Sequence, residues 1–227
     1  MSRTDTTTIH RVSRDKIPAG SKVLTRDEVF NHYAKLVQKW QPASEVWPLK
    51  YGWCVLGAAA CTGNFFILKQ YRQRLKLTGA VYAALTLGCG LFPSMCAPLA
   101  HLMYVTKDIV NQKDCLGCLH IRALTWQLGC SLLYAVTVNP LLCFLKAQHL
   151  ATYNVPGYST PEQRRKMWQL YVKFTRRASG SIYLHGMINS LVATAVTAGE
   201  VKSFIKMNEK LLKKNQEVVE LKKTLPQ

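Results

Sequence analysis

Two cysteines form the motif whose spacing points most directly to chemistry. Cys115 and Cys118 are separated by two residues in the polar segment Lys113 to Arg122, which reads KDCLGCLHIR. Such a C-x-x-C pair can be a thiol redox site, part of a zinc site or a structural disulfide. A thioredoxin-like redox site would start a helix that follows a strand, and no βαβ pattern surrounds the pair here.

A zinc site is a second interpretation of the same segment. Zinc in structural sites has four protein ligands, and Cys115, Cys118 and His120 supply three candidates. No second C-x-x-C completes the set, so neither a metal nor a cofactor is expected. The sequence favours a structural disulfide or a pair of thiols in a tight turn. An oxidising compartment would favour the disulfide.

Polar side chains within apolar segments are the other candidates for chemistry. Asn64, His185 and Asn189 lie inside predicted membrane spans, and His101 and Glu200 lie near the ends of such spans. Polar groups in a membrane usually face other helices or a water-filled path, so they predict either helix packing or a small transporter. We expect His101 to be an interfacial residue with a local hydrogen bond. The sequence contains no Gly-rich phosphate loop, no H-E-x-x-H and no nucleophile elbow, so an enzyme is not expected.

Four apolar segments carry these residues and predict an all-α, polytopic membrane protein. The predicted spans are residues 51–68, 78–105, 123–144 and 178–201. The second and third contain no Asp, Glu, Lys or Arg. Each of these two can cross a hydrocarbon core of about 30 Å at about 1.5 Å per residue. The fourth is the most polar of the set.

Prolines and small residues within the spans predict how the helices bend and pack. Pro93, Pro98 and the pair Asn139-Pro140 predict kinks, because proline removes a backbone donor and clashes with the preceding turn. The run GAAAC at residues 57–61 is made of small residues. Small residues let helix backbones approach closely, so this face is predicted to contact another helix.

Amphipathic, basic segments flank the spans. Thr25 and Glu28 predict a capping box that starts a helix over residues 25–41, lying either on the membrane surface or against the protein's own loops. Residues 145–177 combine a turn-rich connection with a basic helix that is either surface-lying or an N-terminal extension of the fourth span. Residues 202–227 predict a basic helical tail that is solvated or lies on the membrane.

The strong positive charge fits these flanks better than it fits a nucleic-acid-binding domain. The formal net charge is +18, which in a soluble protein would attract phosphates. Beside four apolar segments, the same Lys and Arg residues are suited to anionic lipid. Residues 1–24 form a flexible basic N-terminus, rich in Ser and Thr, that resembles a weak mitochondrial presequence and has no secretory signal. An internal targeting signal is an equal alternative.

The remaining cysteines and the number of spans complete the predicted topology. Outside the C-x-x-C pair, the cysteines lie in apolar segments and are expected to act as small packing residues: Cys54, Cys61, Cys89, Cys96, Cys130 and Cys143. Four spans would put both termini on one side of the membrane, together with the loop that contains Cys115 and Cys118.

The loop motif and its flanking helices follow an order that is known from one protein family. The features that carry the likeness are Asp114-Cys115-x-x-Cys118-x-x-x-Arg122 between the second and third spans, a third span broken at Asn139-Pro140, and Trp168, Arg176 and Arg177 before a polar fourth span. In this order the chain is similar to the transmembrane protein 126 family. The resemblance covers about residues 50–207, and the loop motif is its most specific part.

This resemblance implies a function that composition and spacing alone do not give. It implies a multi-pass protein of the mitochondrial inner membrane and a non-enzymatic assembly factor for the membrane arm of respiratory complex I. The implied partners are complex I membrane-arm subunits, other complex I assembly factors and inner-membrane lipids, and not nucleic acid. Two alternatives stay open: a small inner-membrane transporter or channel, and a thiol redox protein that uses Cys115 and Cys118.

Overall fold

Helices account for most of the chain. The computed structural model describes residues 23–78, 83, 85, 87–112 and 115–224, and within them there is no strand. We number the helices α1 (Arg26–Lys39), α2 (Trp47–Arg74), α3 (four consecutive helical stretches, Leu87–Leu91, Phe92–His101, Leu102–Thr106 and Lys107–Val110), α4 (Leu116–His149) and α5 (Pro161–Thr224). A short 3₁₀ turn, Ala43–Glu45, precedes α2. The predicted flexible N-terminus lies outside the described residues except for Val23 and Leu24.

The start of α1 has the capping box that its sequence predicts. The Glu28 N–H donates to Thr25 Oγ1 at 3.3 Å, and the Thr25 N–H donates to Glu28 Oε2 at 2.7 Å. Each side chain therefore satisfies a backbone donor that the first helical turn would leave free. The helix ends at Lys39, within the predicted segment 25–41.

α2 is the central helix, since it contacts α3, α4 and α5. Its glycines allow two of these contacts to be close. A Cβ at Gly57 would lie 2.8 Å from the carbonyl oxygen of Ser94 in α3, and one at Gly52 would lie 2.8 Å from Val196 in α5. Ala60 is completely buried. The predicted packing role of residues 57–61 is thus confirmed.

The four long helices run alternately up and down. α2 and α4 run parallel to each other. Gln127 donates to the Leu56 carbonyl, and further along both segments Thr152 donates to the Leu75 carbonyl. α2 and α5 run antiparallel, because Gly52 near the start of α2 contacts Val196, whereas Tyr71 near its end contacts the earlier residue Thr175. The "α1 end" of the bundle holds α1, the α3–α4 connection and α5 beyond Glu200. The "opposite end" holds the end of α2, residues 150–160 and the start of α5.

α5 is one continuous helix of 64 residues. It unites the predicted basic helix before the fourth span, the fourth span itself at 178–201 and the predicted C-terminal tail. The basic segment is therefore an N-terminal extension, one of the two predicted alternatives, and the tail is not a separate helix. At about 1.5 Å per residue, α5 is about 96 Å long, roughly three times the hydrocarbon core of a bilayer.

Hydrophobic cores close the bundle at both ends. At the opposite end, Tyr71 and Leu75 of α2, Phe144 of α4 and Phe174 of α5 are buried together. At the α1 end, the buried cluster comprises Tyr33 and Val37 of α1, Val105, Ile109 and Val110 of α3, Leu119 and Ala123 of α4, Val46 before α2, and Phe204, Met207 and Leu211 of α5. α1 thus lies against the protein's own helices. The prediction of a solvated or membrane-surface tail is wrong for residues 204–211, because α1 covers their apolar face.

Two described helices are long and apolar enough to cross a membrane by length and composition. They are α2, with 28 residues and a mean hydropathy of 1.4, and α4, with 34 residues and a mean hydropathy of 1.8. They contain the predicted first and third spans, 51–68 and 123–144. Part of the predicted second span, 78–105, lies outside the described residues.

The prolines predicted to kink the spans lie within helices that contain π-helical turns. Pro98 is inside α3 and is followed by the π-turn Leu102–Thr106, and Pro140 is inside α4 beyond the π-turn Gly129–Leu133. Pro140 cannot donate to the carbonyl four residues earlier. That carbonyl, of Val136, accepts instead from the Tyr171 hydroxyl of α5 at 3.0 Å. The backbone defect in α4 is therefore satisfied by a neighbouring helix, as membrane helices require.

Candidate functional site

The cysteine pair lies at the first turn of α4, at the α1 end of the bundle. Cys115 is the N-cap residue, with an extended backbone, and its Sγ accepts the Cys118 N–H at 3.3 Å. The structure joins the two cysteines in a disulfide, with their Cα atoms 5.3 Å apart. The motif thus closes one helical turn on itself, and both residues are exposed.

Arg122, the last residue of the loop motif, ties α4 to α3. Its guanidinium pairs with the Asp108 carboxylate, and it also donates to the Tyr104 carbonyl at 3.1 Å. The Tyr104 ring stacks on Trp126 of α4 with the ring centroids 4.9 Å apart. These contacts fix the hairpin formed by α3 and α4. Asp114, the remaining residue of the motif, lies outside the described residues.

The zinc interpretation of this loop has no supporting geometry in the part of the chain that the structure describes. Within those residues, no group of three or more His, Cys, Asp or Glu side chains could hold a metal ion. Cys115 and Cys118 are bonded to each other, so they offer no thiolate ligands alongside His120.

The middle of the bundle contains a layer of buried polar side chains, which we call the amide layer (Asn64, Gln127, Ser131, Asn139 and Asn189). Asn64 Nδ2 donates to the carbonyl of Ala60 in its own helix at 2.8 Å and to the carbonyl of Ser131 in α4 at 3.2 Å. Asn139 Nδ2 donates to Asn64 Oδ1 at 3.3 Å. Asn64 and Asn139 are fully buried. The predicted intramembrane residue Asn64 therefore links α2 to α4.

The other half of the amide layer links α4 to α2 and α5. Gln127 Nε2 donates to the Leu56 carbonyl at 3.1 Å and to Asn189 Oδ1 at 2.8 Å. Asn189 Nδ2 donates to the carbonyl of His185, one turn earlier in α5, at 2.9 Å. Asn64 and Asn189 were predicted as polar residues of the spans. The roles of Gln127 and Ser131 were missed, and Asn139 was noted only for the kink beside it. An amide inside an uncharged span is the signal that could have found Gln127 and Asn139.

His185 is buried at the edge of this layer but makes a different contact. Its imidazole stacks on the ring of Phe66 in α2 with the centroids 5.3 Å apart, and it packs over Gly63. His185 is therefore a packing residue between α2 and α5. All three predicted intramembrane polar residues lie where α2 packs against α5. Asn64 and Asn189 also form hydrogen bonds with α4.

A second polar cluster, His101, Thr106 and Glu200, lies near the α1 end. His101 Nε2 is 3.2 Å from Glu200 Oε2, and the Thr106 hydroxyl donates to the same carboxylate at 3.1 Å. His101 and Glu200 each have 3% of their surface exposed. The prediction that His101 forms a local hydrogen bond is wrong, since its partner lies 99 residues away. Thr106, in a π-turn of α3, was not predicted.

An ionic clamp holds α5 at the same end. The Lys210 ammonium bonds to the Glu45 carboxylate at 2.6 and 2.8 Å, Lys206 lies 3.2 Å from it, and Trp40 Nε1 donates to it at 3.3 Å. These contacts, led by Lys210 and Trp40, lower the pKa of Glu45 to about 2. Tyr33 reinforces the contact by donating its hydroxyl to an α5 side chain, and burial raises its pKa.

An apolar groove of about 540 Å³ lies between α2 and α3 on the outer face of the bundle. Its walls include Gly57, Ala58 and Cys61 of α2 and Met95, Pro98 and Leu99 of α3. The groove does not contain the amide layer or the cluster around Glu200. It is thus separate from the polar side chains that a transport path would use.

Comparison with known proteins finds a relative that matches nearly the whole chain. The chain is 26% identical over 201 residues to a Drosophila melanogaster protein named "Transmembrane protein 126", covering 88% of this chain and 89% of the relative. No protein-family model matches, and no solved structure gives a significant match. The similarity extends over nearly the full length of both chains, and two of the described helices are long and apolar enough to cross a bilayer.

Proposed function

Because this chain belongs to the transmembrane protein 126 family, we propose that it is a non-enzymatic assembly scaffold for the membrane arm of respiratory complex I. In this proposal it is a multi-pass protein of the mitochondrial inner membrane. Its partners are complex I membrane-arm subunits and other assembly factors of that complex. The observation that carries the scaffold role is the length of α5, which extends well beyond its apolar segment in both directions.

The exposed surface of the bundle supports four transmembrane helices rather than two. Large apolar side chains are exposed not only on α2 and α4 but also on the other two long helices. Examples are Phe92, Met95 and Met103 of α3 and Leu184, Met187 and Leu191 of α5. In water such a surface would be a liability, whereas lipid solvates it. With α3 and α5 included, the bundle crosses the bilayer four times and both ends of α5 emerge from it.

The start of α5 offers a docking surface at the opposite end of the bundle. Its inner face is used by the buried Phe174, while Arg164, Arg165 and Lys166 are exposed. Trp168 in the next turn is 64% exposed. Exposed Arg and Trp side chains are enriched where proteins bind one another. This arm suits an acidic surface of a partner subunit.

The amide layer favours packing over transport. Its side chains bond to one another and to backbone carbonyls of neighbouring helices, and Asn64 and Asn139 are fully buried. A transporter needs polar groups that face a path for its substrate. The groove between α2 and α3, in contrast, has an almost entirely apolar lining. These contacts support a rigid scaffold.

Loss of the gene in cells tests the proposal directly. We expect a knockout to deplete assembled complex I and to accumulate membrane-arm intermediates on native gels, and we expect the full chain to restore assembly. Normal complex I levels in a clean knockout would contradict the proposal. Affinity purification of the full chain from mild detergent, with mass spectrometry, identifies the partners.

Matched variants of α5 test the docking surface separately. Arg164, Arg165 and Lys166 are all changed to Glu in one variant, which reverses the charge of exposed positions without touching a core. The control exchanges Arg and Lys at the same positions and keeps the charge. We expect the charge-reversed chain to lose membrane-arm subunits from the purified complex and the control to retain them. Equal recovery with both variants would exclude this arm as the docking surface.

A further inference from the structure

The cysteine pair is more exposed and better placed for chemistry than a structural turn requires. Cys115 and Cys118 are both exposed, and a Cβ built at Gly117 between them would meet no atom within 4 Å. Among the described residues, the space beside Gly117 is therefore open. Leu116 is 53% exposed and Ile121 is 68% exposed, so apolar surface borders the two sulfurs where a second polypeptide could lie.

The two sulfurs are not equivalent, because only one of them caps the helix. Cys115 is the N-cap of α4, and its Sγ accepts the Cys118 N–H at 3.3 Å. The free N–H groups and the positive end of the dipole at a helix N-terminus stabilise a thiolate. In the reduced pair, this favours ionisation of Cys115 over ionisation of Cys118. The geometry thus separates a nucleophilic thiol from a resolving thiol.

We propose that Cys115 and Cys118 form a reversible thiol–disulfide exchange site whose substrate is a cysteine pair in another protein. In the reduced chain, the Cys115 thiol gives up its proton to solvent, and the resulting thiolate attacks one sulfur of the partner's disulfide. A bond forms between Cys115 Sγ and that sulfur, the partner's S–S bond breaks, and its other sulfur leaves as a thiolate that takes up a proton.

The second step returns the chain to the form seen in the structure. The Cys118 thiol gives up its proton and attacks Cys115 Sγ, which forms the intramolecular disulfide. The mixed disulfide breaks, and the partner's second sulfur leaves as a thiolate and is protonated. The partner gains two electrons and two protons and the chain loses them. The reverse sequence lets a partner dithiol reduce the chain. This activity goes beyond the proposed scaffold role and does not depend on it.

The remaining cysteines make the site easy to isolate experimentally. Cys89 and Cys143 are fully buried. Of the other four, which lie in the apolar segments of α2, α3 and α4, only Cys54 is exposed, and both single variants described below retain it, so its reaction is the same in each. Cys115→Ser should keep the fold of the loop, because Ser is a preferred N-cap residue. Cys118→Ser leaves the capping side chain in place. The two single variants are thus matched in structure and differ in which thiol remains.

Reaction with oxidised glutathione measures the difference between the two thiols. The full chain is purified in detergent as each single variant, reduced, freed of reductant and mixed with oxidised glutathione at pH 7, and the adduct is followed by mass spectrometry. We expect Cys118→Ser, which retains Cys115, to form the adduct at least about tenfold faster than Cys115→Ser. Equal rates, or a faster Cys115→Ser, would overturn the proposal.

Trapping in mitochondria tests the protein substrate. We expect Cys118→Ser to accumulate a mixed disulfide that is visible on non-reducing gels and disappears with dithiothreitol, since it lacks the resolving thiol. Cys115→Ser should give no such species. Absence of a trapped partner with Cys118→Ser, while the unsubstituted chain stays fully oxidised by maleimide labelling, would show that the pair is a structural disulfide only.

Discussion

The buried pair of His101 and Glu200 predicts a strong and reciprocal dependence of stability on both side chains. The Glu200 carboxylate contacts His101 at 3.2 Å and Thr106 at 3.1 Å, and His101 and Glu200 are each only 3% exposed. Replacing Glu200 by Leu removes the acceptor for both neighbours. Within the described residues, the other ring nitrogen of His101, Nδ1, has no hydrogen-bond partner, so that imidazole would lose its contact entirely.

The size of the effect follows from the groups left without partners. An unsatisfied buried donor or acceptor costs about 1–3 kcal/mol, and Glu200→Leu leaves both the His101 ring and the Thr106 hydroxyl without their acceptor. We therefore expect Glu200→Leu, and separately His101→Leu, to lower the free energy of unfolding by about 2 kcal/mol or more. Replacing both residues by Leu removes the imidazole and the carboxylate, and leaves only the Thr106 hydroxyl without its acceptor. The double variant should recover most of that loss, because apolar substitutes for a buried pair are often neutral or stabilising.

A double-mutant cycle on the purified full chain in detergent measures this coupling. The free energy of unfolding is obtained by denaturant titration for the parent, the two single variants and the double variant. The reasoning predicts a coupling of at least about 2 kcal/mol, beyond the range typical of independent sites. It would be refuted if both single changes cost less than 1 kcal/mol, or if the two costs simply added in the double variant.

Three further changes have matched controls or a defined pH range. Gly57→Ala brings a methyl group to 2.8 Å from a backbone oxygen of α3 and should lower the free energy of unfolding by about 1–3 kcal/mol. In the control Gly180→Ala, the added methyl group meets nothing within 4 Å, and the free energy of unfolding should rise by up to about 1 kcal/mol. Denaturant titration measures both. Tyr171→Phe leaves the Val136 carbonyl without its hydrogen-bond donor and should lower the free energy of unfolding by about 1–3 kcal/mol. The control Tyr183→Phe, at a 74% exposed position, should leave the unfolding midpoint unchanged. The pKa of Glu45 in the folded chain is about 2, against an ordinary value of 4.5. The stability that its ion pairs contribute is therefore complete above about pH 4.5 and is lost as the pH falls towards 2. Protease cleavage between α1 and α2 should rise over that range in the parent chain and vary less in Glu45→Gln.

The sequence was sufficient for features that depend on local composition. The capping box at Thr25 and Glu28 needs only two residues at the right spacing, and it is present. The small residues at 57–61 predict a close helix contact without naming the partner, and the contact exists with α3. Such features follow from short-range sterics and hydrogen bonding, which the sequence expresses directly.

Features that depend on which helices meet were not predictable from the sequence. The continuity of α5 was predicted only as one of two alternatives for its N-terminal part and was not predicted for its C-terminal part. Its composition changes twice, from basic to apolar and back, and a composition change resembles an element boundary. The partner of His101 lies 99 residues away, so only the topology brings the two together. In the sequence, Glu45 is one of several scattered acidic residues. Its ion pair with Lys210 depends on the packing of α5 beside it, which the sequence does not indicate.

The different forces at the ends and the middle of the bundle explain where its polar residues lie. Phe174 and Phe204 of α5 belong to the two larger hydrophobic cores, which are about 45 Å apart at about 1.5 Å per residue. A small third cluster of Leu56, Ala193 and Val196 lies between them. In the proposed four-span arrangement, that separation exceeds a hydrocarbon core of about 30 Å, which leaves room for both larger cores to reach the region where water is present and apolar burial stabilises. Between them, lipid tails are as apolar as the side chains, and burial gives little driving force for helices to associate. The amide layer around Asn64 and the glycine contacts of α2 lie in this middle region, because interhelical hydrogen bonds and close packing are the interactions that still stabilise a bundle there.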